Sequence, residues 1–172
     1  MSKDFSKRLA GQIGEHLVVA ELGRRNIIAT PFAGNVPDID ILAYANERAV
    51  PIQVKAMRQA GGTVDATKYL RISFAGEQQR IDGLVEVDRS LVYVLVTIGI
   101  SAGEDRFFVL EQGGLQDLIM RNHSSVLERF GGRRPKNWQS THCSYNPDDL
   151  EGAENNWSLI EQRLGFPAKI RA

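Results

Sequence analysis

Two short strands predicted between Asp40 and Lys55 constrain the fold more than any other part of the chain. The first strand follows Asp40 as an apolar run, a polar turn comes next, and the second strand ends in Gln53-Val54-Lys55. Because side chains alternate between the faces of a strand, Gln53 and Lys55 share one face while Val54 points to the other. If the strands pair as a hairpin, Asp40 lies beside Gln53 and Lys55. A carboxylate, an amide oxygen and an ammonium group then meet at one place, and this set suits a divalent metal ion and a water to be activated.

An amphipathic helix is predicted over residues 7–25, upstream of the hairpin, because apolar residues recur there at helical spacing. Glu15 lies on the partly apolar side of this helix. Burying an unpaired charge costs on the order of several kcal/mol, so we expect the carboxylate to have a partner. Two interpretations stay open: Glu15 is a surface residue that pairs with Lys7, Arg8 or a cation from solvent, or it belongs to the same site as Asp40.

Two glycines, Gly11 and Gly14, interrupt the same predicted helix. Each weakens a helix by roughly 1 kcal/mol relative to alanine. We therefore expect another backbone, that of the sheet, to approach the helix closely at these positions.

Together these motifs resemble the PD-(D/E)XK nuclease superfamily, which has the restriction-endonuclease-like fold. The resemblance covers residues 11–56, is carried by Glu15, Asp40 and Gln53-Val54-Lys55, and is similar to the Holliday-junction-resolvase-like and homing-endonuclease-like branches. It implies an α/β fold with a central mixed β-sheet flanked by helices. Asp40 has the family's spacing to the second strand, and Asp38 is the second choice for the same role.

The resemblance also implies a set of ligands and catalytic groups. Glu15, Asp40, Gln53 and Lys55 become the candidate catalytic residues. Mg²⁺, with Mn²⁺ as its substitute, would be held by Asp40, the Gln53 side-chain oxygen, the Val54 carbonyl and Glu15, while Lys55 positions the attacking water. The acid that the family has at the first position of its last motif is Gln53 here. An amide oxygen can ligate Mg²⁺, but the loss of one formal charge weakens binding.

Two functions follow from this resemblance. The first is a magnesium-dependent deoxyribonuclease, an endonuclease-like hydrolase of the phosphodiester bonds of DNA. The alternative is a catalytically inactive nuclease-fold module that binds nucleic acid or a protein partner. Gln53 and the formal net charge of zero favour the alternative. A homodimer is a further hypothesis, because cutting both strands of a duplex needs two sites.

Length and composition predict a single nuclease-like domain over residues 1–172, since 172 residues with 42% hydrophobic content can bury one good core. Residues 11–56 form its core motif, and residues 131–172 form a loop-rich segment that ends in a short helix. The longest apolar run, residues 91–100, is too short to cross a bilayer, and the amino terminus has no apolar signal region. We therefore expect a cytoplasmic protein without a membrane partner.

Strands and helices beyond the hairpin are predicted from the same periodicities. We expect strands at residues 69–74, 91–100 and 106–110, the last two paired with each other, and helices at residues 115–130 and 156–164. The three histidines lack the spacing of a zinc site or a catalytic dyad, so surface or packing roles are expected. The lone cysteine, Cys143, is expected to be a structural thiol.

A basic loop is the second candidate for contact with nucleic acid. Residues 129–147 contain four cations and no acid, despite the zero net charge of the chain. Within this range Arg133, Arg134, Lys136 and Trp138 follow a glycine pair. Cations and an aromatic ring suit a phosphate backbone and a stacked base. The same residues equally suit a solvated loop whose Trp138 is anchored in the core, and both interpretations stay open.

Overall fold

The computed structural model describes residues 3–32, 38–58 and 61–167, with side chains from residue 8 onward. The glycine and proline within residues 33–37 predict a turn-rich loop there, and this segment lies outside the described residues. The chain divides into two compact units, the first made of residues 1–60, 91–111 and 150–172 and the second of residues 61–90 and 112–149. The helices are α1 (Lys3–Arg24), α2 (Gln112–Arg129) and α3 (Ser158–Arg163), and the strands are β1 (Ile28–Pro31), β2 (Ile41–Ala45), β3 (Arg48–Met57), β4 (Gly62–Asp65), β5 (Leu70–Ala75), β6 (Gln78–Leu84), β7 (Val92–Thr97), β8 (Arg106–Glu111) and β9 (His142–Tyr145).

A five-stranded sheet in the order β1-β2-β3-β7-β8 forms the centre of the first unit. Neighbouring strands are antiparallel except β3 and β7, which are parallel, so the sheet is mixed. Ile41 lies opposite Ile52 and Ala43 opposite Val50 in the β2–β3 pair. The predicted hairpin and the predicted pairing of β7 with β8 are both confirmed.

One face of this sheet carries the core of the first unit. Alternate residues of β2, β3, β7 and β8 pack with residues of α1 and α3, and full burial of one such aliphatic side chain is worth about 1.5–3 kcal/mol. The completely buried members of this cluster are Val18, Leu22, Ile41, Ala43, Ile52, Val92, Val94, Val96, Val109, Ile160 and Leu164. The prediction of a central mixed sheet flanked by helices is therefore confirmed.

Close packing of α1 on β3 depends on one of the two helix glycines. A Cβ added to Gly14 would lie 2.3 Å from the Cβ of Ala56, a distance that atoms in real structures do not show. A Cβ added to Gly11 would have nothing within 4 Å. The expectation of a close approach is confirmed at Gly14 and wrong at Gly11, because the helix side at Gly11 faces open space.

The second unit combines α2 with two strand pairs. β5 and β6 form a hairpin, and β4 pairs with β9, which lies 80 residues later in the chain. The predicted strand at residues 69–74 and the predicted helix at 115–130 correspond to β5 and α2. The segment predicted to be loop-rich also contains β9 and a 3₁₀ helix, Pro147–Ala153, before α3. Because two compact units can belong to one domain, the single domain stays a prediction.

None of the described helices is both long enough and apolar enough to cross a membrane. The cytoplasmic location stays a prediction.

Candidate active site

Asp40, directly before β2, is held by hydrogen bonds to three backbone groups. Its N–H donates to the Ile52 carbonyl at 2.9 Å, and its carbonyl accepts from the N–H of Phe32 at 2.9 Å. Its side-chain Oδ2 accepts from the Val54 N–H at 2.7 Å and from the side-chain amide of Gln53. The carboxylate is therefore fixed against β3, beside the residue that the hairpin predicted.

Gln53 is the buried partner of this carboxylate. Gln53 lies in the middle of β3 and is 5% exposed. Its Nε2 donates a hydrogen bond to the carboxylate of Asp40 and another, at 3.4 Å, to the carbonyl of Val54. In this orientation the NH₂ group faces Asp40. Since rotation of the amide by half a turn exchanges its oxygen and nitrogen, the same side chain can present either a donor or a metal ligand. A neutral amide also avoids the repulsion that a second carboxylate would suffer here.

Glu15 and Lys55 complete the cluster electrostatically. Partial burial of Glu15, and next the charge of Asp40, raise the pKa of its carboxyl, whereas His16 and Lys55 act in the opposite direction. The Glu15 carboxyl therefore lies within electrostatic reach of both Asp40 and Lys55. Lys55 follows Gln53 by two residues on β3 and is exposed, so its ammonium group is open to a ligand. The structure thus places Gln53 in contact with Asp40, and it places Asp40 and Lys55 within electrostatic reach of Glu15. The catalytic and metal-binding roles of these residues stay predictions.

The structure bears on the surface interpretation of Glu15 and on Asp38, the second choice for the strand aspartate. No hydrogen bond or ion pair joins Glu15 to Arg8, and the side chain of Lys7 lies outside the described residues. Asp38, the second choice for Asp40, is exposed and has a positive φ of 61°. Aspartate tolerates this left-handed conformation better than most residues, which is consistent with a turn position.

The donors of the cluster suit a hard cation. Among the described residues, no three or more His, Cys, Asp or Glu side chains come together as a metal-binding group. The cluster instead offers two carboxylates, one amide and one backbone carbonyl. Mg²⁺ is usually held by one or two carboxylates, and waters and substrate phosphates fill its other positions, so this donor set fits it. The mutual repulsion of Glu15 and Asp40 also favours a cation between them.

Comparison with solved structures supports the fold on which this site is built. The chain is similar to the bacterial homing endonuclease I-Ssp6803I, with a TM-score of 0.53 and 13% sequence identity over 92% of this chain and 95% of that one. The chain has a restriction-endonuclease-like fold. It is also similar to the Holliday junction resolvase Hjc of Archaeoglobus fulgidus, with a TM-score of 0.44 and 13% identity over 92% and 98% of the two chains. No known family model and no curated protein matches the sequence.

The cations of the basic loop are less free than the sequence suggests. Arg133 forms an ion pair with Glu77, with its Nε 2.5 Å from the carboxylate, so an acid distant in the chain compensates it. Arg134 is half-buried, and its Nη1 lies 3.5 Å from Nδ1 of His123. Lys136 is exposed. The contact of these residues with nucleic acid stays a prediction, with Lys136 the most accessible.

The glycine pair before this loop ends α2 rather than serving as a free hinge. Gly131 and Gly132 have positive φ values of 60° and 83°. The Gly132 N–H donates to the Leu127 carbonyl at 2.7 Å, and its carbonyl accepts from the Gln79 N–H at 2.8 Å. These bonds form a helix C-cap that is attached to β6. Hydrogen bonds to α2 and β6 therefore fix the glycine pair at the end of the helix.

Trp138 and the buried tryptophan have different roles. Trp138 is half-buried, and its ring lies edge-to-face with Phe74 at a centroid distance of 5.9 Å, so it lies at the surface of the second unit. Trp157, directly before α3, is 3% exposed and packs on Phe107 in the core of the first unit, so it anchors this helix. Cys143 is also buried, and burial raises the pKa of its thiol to about 11, as expected of a structural thiol.

Sequence reasoning missed the buried polar pair formed by Gln79 and His123. Gln79 is 3% exposed and His123 is completely buried, with Nε2 of the ring 3.0 Å from Oε1 of the amide. The prediction of a packing role holds for His123, whereas His16 and His142 are exposed. Gln79 stands in a run of polar residues, Gln78-Gln79-Arg80, and nothing in that run marks it as buried. The one available signal was its spacing of two from Ile81, which is half-buried on the same strand.

Proposed function

We propose that this protein is a metal-dependent endonuclease that hydrolyses phosphodiester bonds of DNA at the cluster of Glu15, Asp40, Gln53 and Lys55. The observation that carries the proposal is the fixed Asp40 carboxylate, which accepts bonds from the Val54 N–H and the Gln53 amide. It is supported by the similarity of the fold to that of a homing endonuclease.

The four side chains have separate tasks in this proposal. Asp40 would hold Mg²⁺ directly, because its rotamer is already fixed, and Glu15, the Gln53 oxygen and the Val54 carbonyl would supply the other protein ligands. When bound, the metal ion polarises the scissile phosphate and lowers the pKa of a coordinated water. Lys55 would orient that water and offset the negative charge that develops on the phosphate.

Plasmid cleavage with the divalent metal varied tests the proposal. We expect nicking of plasmid DNA in Mg²⁺ or Mn²⁺ and none in EDTA. Asp40→Ala and Lys55→Ala should each reduce the rate by at least about 100-fold, the usual cost of removing a group that stabilises transition-state charge. Their circular dichroism spectra should match the wild type. Lys68→Ala, which removes an exposed lysine of the second unit, is the matched control and should cleave normally.

The choice between the two candidate aspartates needs one further variant. Asp38→Ala should cleave like the wild type, because Asp38 is an exposed turn residue. Loss of cleavage in Asp38→Ala with normal cleavage in Asp40→Ala would move the site to Asp38.

A non-catalytic module that binds nucleic acid is the second candidate function. The specific observation in its favour is Gln53, whose amide donates to Asp40 where the family places an acid. In that case the wild type binds DNA but cleaves none in either metal, and Gln53→Glu would be the variant to regain cleavage. Wild-type cleavage that disappears in Asp40→Ala would exclude the module.

A further inference from the structure

An open cavity of about 360 Å³ lies on the second unit, and none of its lining residues belongs to the proposed active site. Its lining consists of Phe74, Gly76, Trp138, Gln139 and Thr141. Phe74 is 44% exposed although it is a large aromatic residue. The volume is at the small end of ligand pockets, so the cavity suits one flat ring rather than a large ligand.

The lining leaves room for a ring beside the aromatic pair. The rings of Phe74 and Trp138 meet at 73°, so their planes form a corner rather than a stack. A Cβ added to Gly76 would meet nothing within 4 Å, so no side chain fills the space at this position. Two aromatic surfaces at an angle, with an open third side, can receive a planar heterocycle by stacking on one ring and edge contact with the other.

A buried network holds Trp138 in place. Nε2 of Gln79 donates to the carbonyls of Trp138 at 2.5 Å and Ser140 at 3.0 Å. Both amide hydrogens are thereby used, so Oε1 of Gln79 accepts from Nε2–H of His123. The other ring nitrogen, Nδ1, then has the lone pair that faces Arg134. Because the loop backbone is already fixed, stacking on Trp138 costs little conformational entropy.

Charge indicates what kind of ring the cavity takes. Lys136 precedes Trp138 by two residues, is exposed, and forms no ion pair among the described residues. Two acids lie at this region and both have partners: Glu77 pairs with Arg133, and Asp65 accepts a hydrogen bond from the hydroxyl of Thr141. A flat ring next to a negative group therefore complements the charge of Lys136.

We propose that this cavity binds an unpaired base of a DNA strand, with the adjoining phosphate at Lys136. The inference deepens the proposed function, on which it relies for DNA as the partner, by making single-stranded or unpaired DNA the preferred ligand. Binding at the cavity needs neither metal nor catalysis.

The test measures binding in EDTA with the Asp40→Ala protein, so that it is independent of cleavage. The probes are an oligothymidylate of about 12 nucleotides, a length within the range that one such groove contacts, and a strand of the same length without bases. Intrinsic fluorescence reports the contact, because the chain has two tryptophans and Trp157 is 3% exposed. Quenching on binding thus identifies Trp138.

Trp138→Ala should weaken binding of oligothymidylate by roughly 5- to 150-fold, the usual effect of removing one stacking ring, and Phe74→Ala should weaken it as well. Trp138→Phe keeps a ring and should retain most of the affinity, which guards against misfolding of the alanine variant. Phe130→Ala removes an equally exposed aromatic residue of the same unit, outside the cavity, and should have no effect.

Binding of the strand without bases should be weak and equal in all variants. The dependence of affinity on salt should not change in Trp138→Ala, because stacking releases no counterions. The proposal is overturned if the strand without bases binds as tightly as oligothymidylate, if both ring variants bind like the wild type, or if no oligonucleotide quenches the fluorescence. Binding that passes these tests in a protein that never cleaves DNA would leave the inference standing while the proposed catalysis fails.

Discussion

Replacing Gln53 with glutamate tests the proposed metal site in two ways, through stability without metal and through affinity for metal. The side chain is 5% exposed and its amide donates to the Asp40 carboxylate. Gln53→Glu exchanges this hydrogen bond for a second carboxylate at the same place. Without metal the two like charges should destabilise the fold, and with metal the added charge should tighten binding.

The size of the destabilisation can be bounded. Two unit charges about 4 Å apart repel by about 4 kcal/mol at an effective dielectric constant of about 20. Protonation of one carboxyl sets a similar limit, since holding a group of unfolded pKa about 4.3 protonated at pH 7 costs about 3.7 kcal/mol. The folded pair binds more protons than the unfolded chain, so the free energy of unfolding falls as pH rises above about 4.3. The free energy of unfolding of Gln53→Glu should therefore be lower than that of the wild type by up to about 4 kcal/mol at pH 7 and by about 1 kcal/mol at pH 5.

Urea unfolding in EDTA at both pH values, followed by calorimetric titration with Mn²⁺, measures the two effects. The variant should be less stable than the wild type at pH 7, recover most of the difference at pH 5, and bind Mn²⁺ more tightly. Gln162→Glu adds the same charge at an exposed position of α3 and serves as the control. Equal stability at pH 7 would refute the facing arrangement of residues 53 and 40. Unchanged or weaker Mn²⁺ affinity would show that Gln53 is not a ligand.

Two further predictions concern stability alone. Gly14→Ala should destabilise the protein by about 1–3 kcal/mol, because the new methyl group meets Ala56. Gly11→Ala should stabilise it by up to about 1 kcal/mol, because alanine favours the helix and nothing lies within 4 Å of the new methyl group. Thermal unfolding should therefore show changes of opposite sign in the two variants, and changes of the same sign would contradict the packing argument. Burial, and next the charge of Arg134, lower the pKa of His123 in the folded protein to about 4 from about 6.5. Between pH 7.5 and pH 5 the unfolded chain therefore binds more protons than the folded protein, so the free energy of unfolding should fall by about 2 kcal/mol over this range. Urea unfolding across this range should show a smaller loss in His123→Gln than in the wild type or in the exposed-residue control His142→Gln, and equal losses in all three would refute the assignment.

The part of the site that could be predicted is the part set by local periodicity. The alternation of side chains along β3 places Gln53 and Lys55 on one face, and the short polar turn leaves few registers for β2. Opposition of Ile41 and Ile52 in the ladder then puts Asp40 next to Gln53. What periodicity cannot give is the direction of a hydrogen bond. The Gln53 amide presents its NH₂ group to Asp40. This orientation depends on side-chain torsions that the local sequence does not determine.

Contacts between residues far apart in the chain account for most of what was missed. The basic loop seemed uncompensated because the acid that pairs with Arg133 is Glu77, 56 residues earlier. In the same way β9 could not be recognised, since four residues form a strand there only through pairing with β4. Pairings of this kind depend on which loops the fold closes, and a single sequence carries no local signal for them.

The connection between the parallel strands β3 and β7 contains the first part of the second unit. Parallel neighbours need a long crossover, and here residues 61–90 of the second unit lie within it. Glu15, Asp40, Gln53 and Lys55 all belong to the first unit, whereas the basic loop and the aromatic cavity belong to the second. The pairing of β2, β3 and β7 requires only that this connection bring the chain back to β7. Substitutions in the second unit can therefore leave that pairing intact. If the proposed functions hold, substitutions in α1 and the hairpin should alter cleavage, and substitutions in the second unit should alter which DNA is bound.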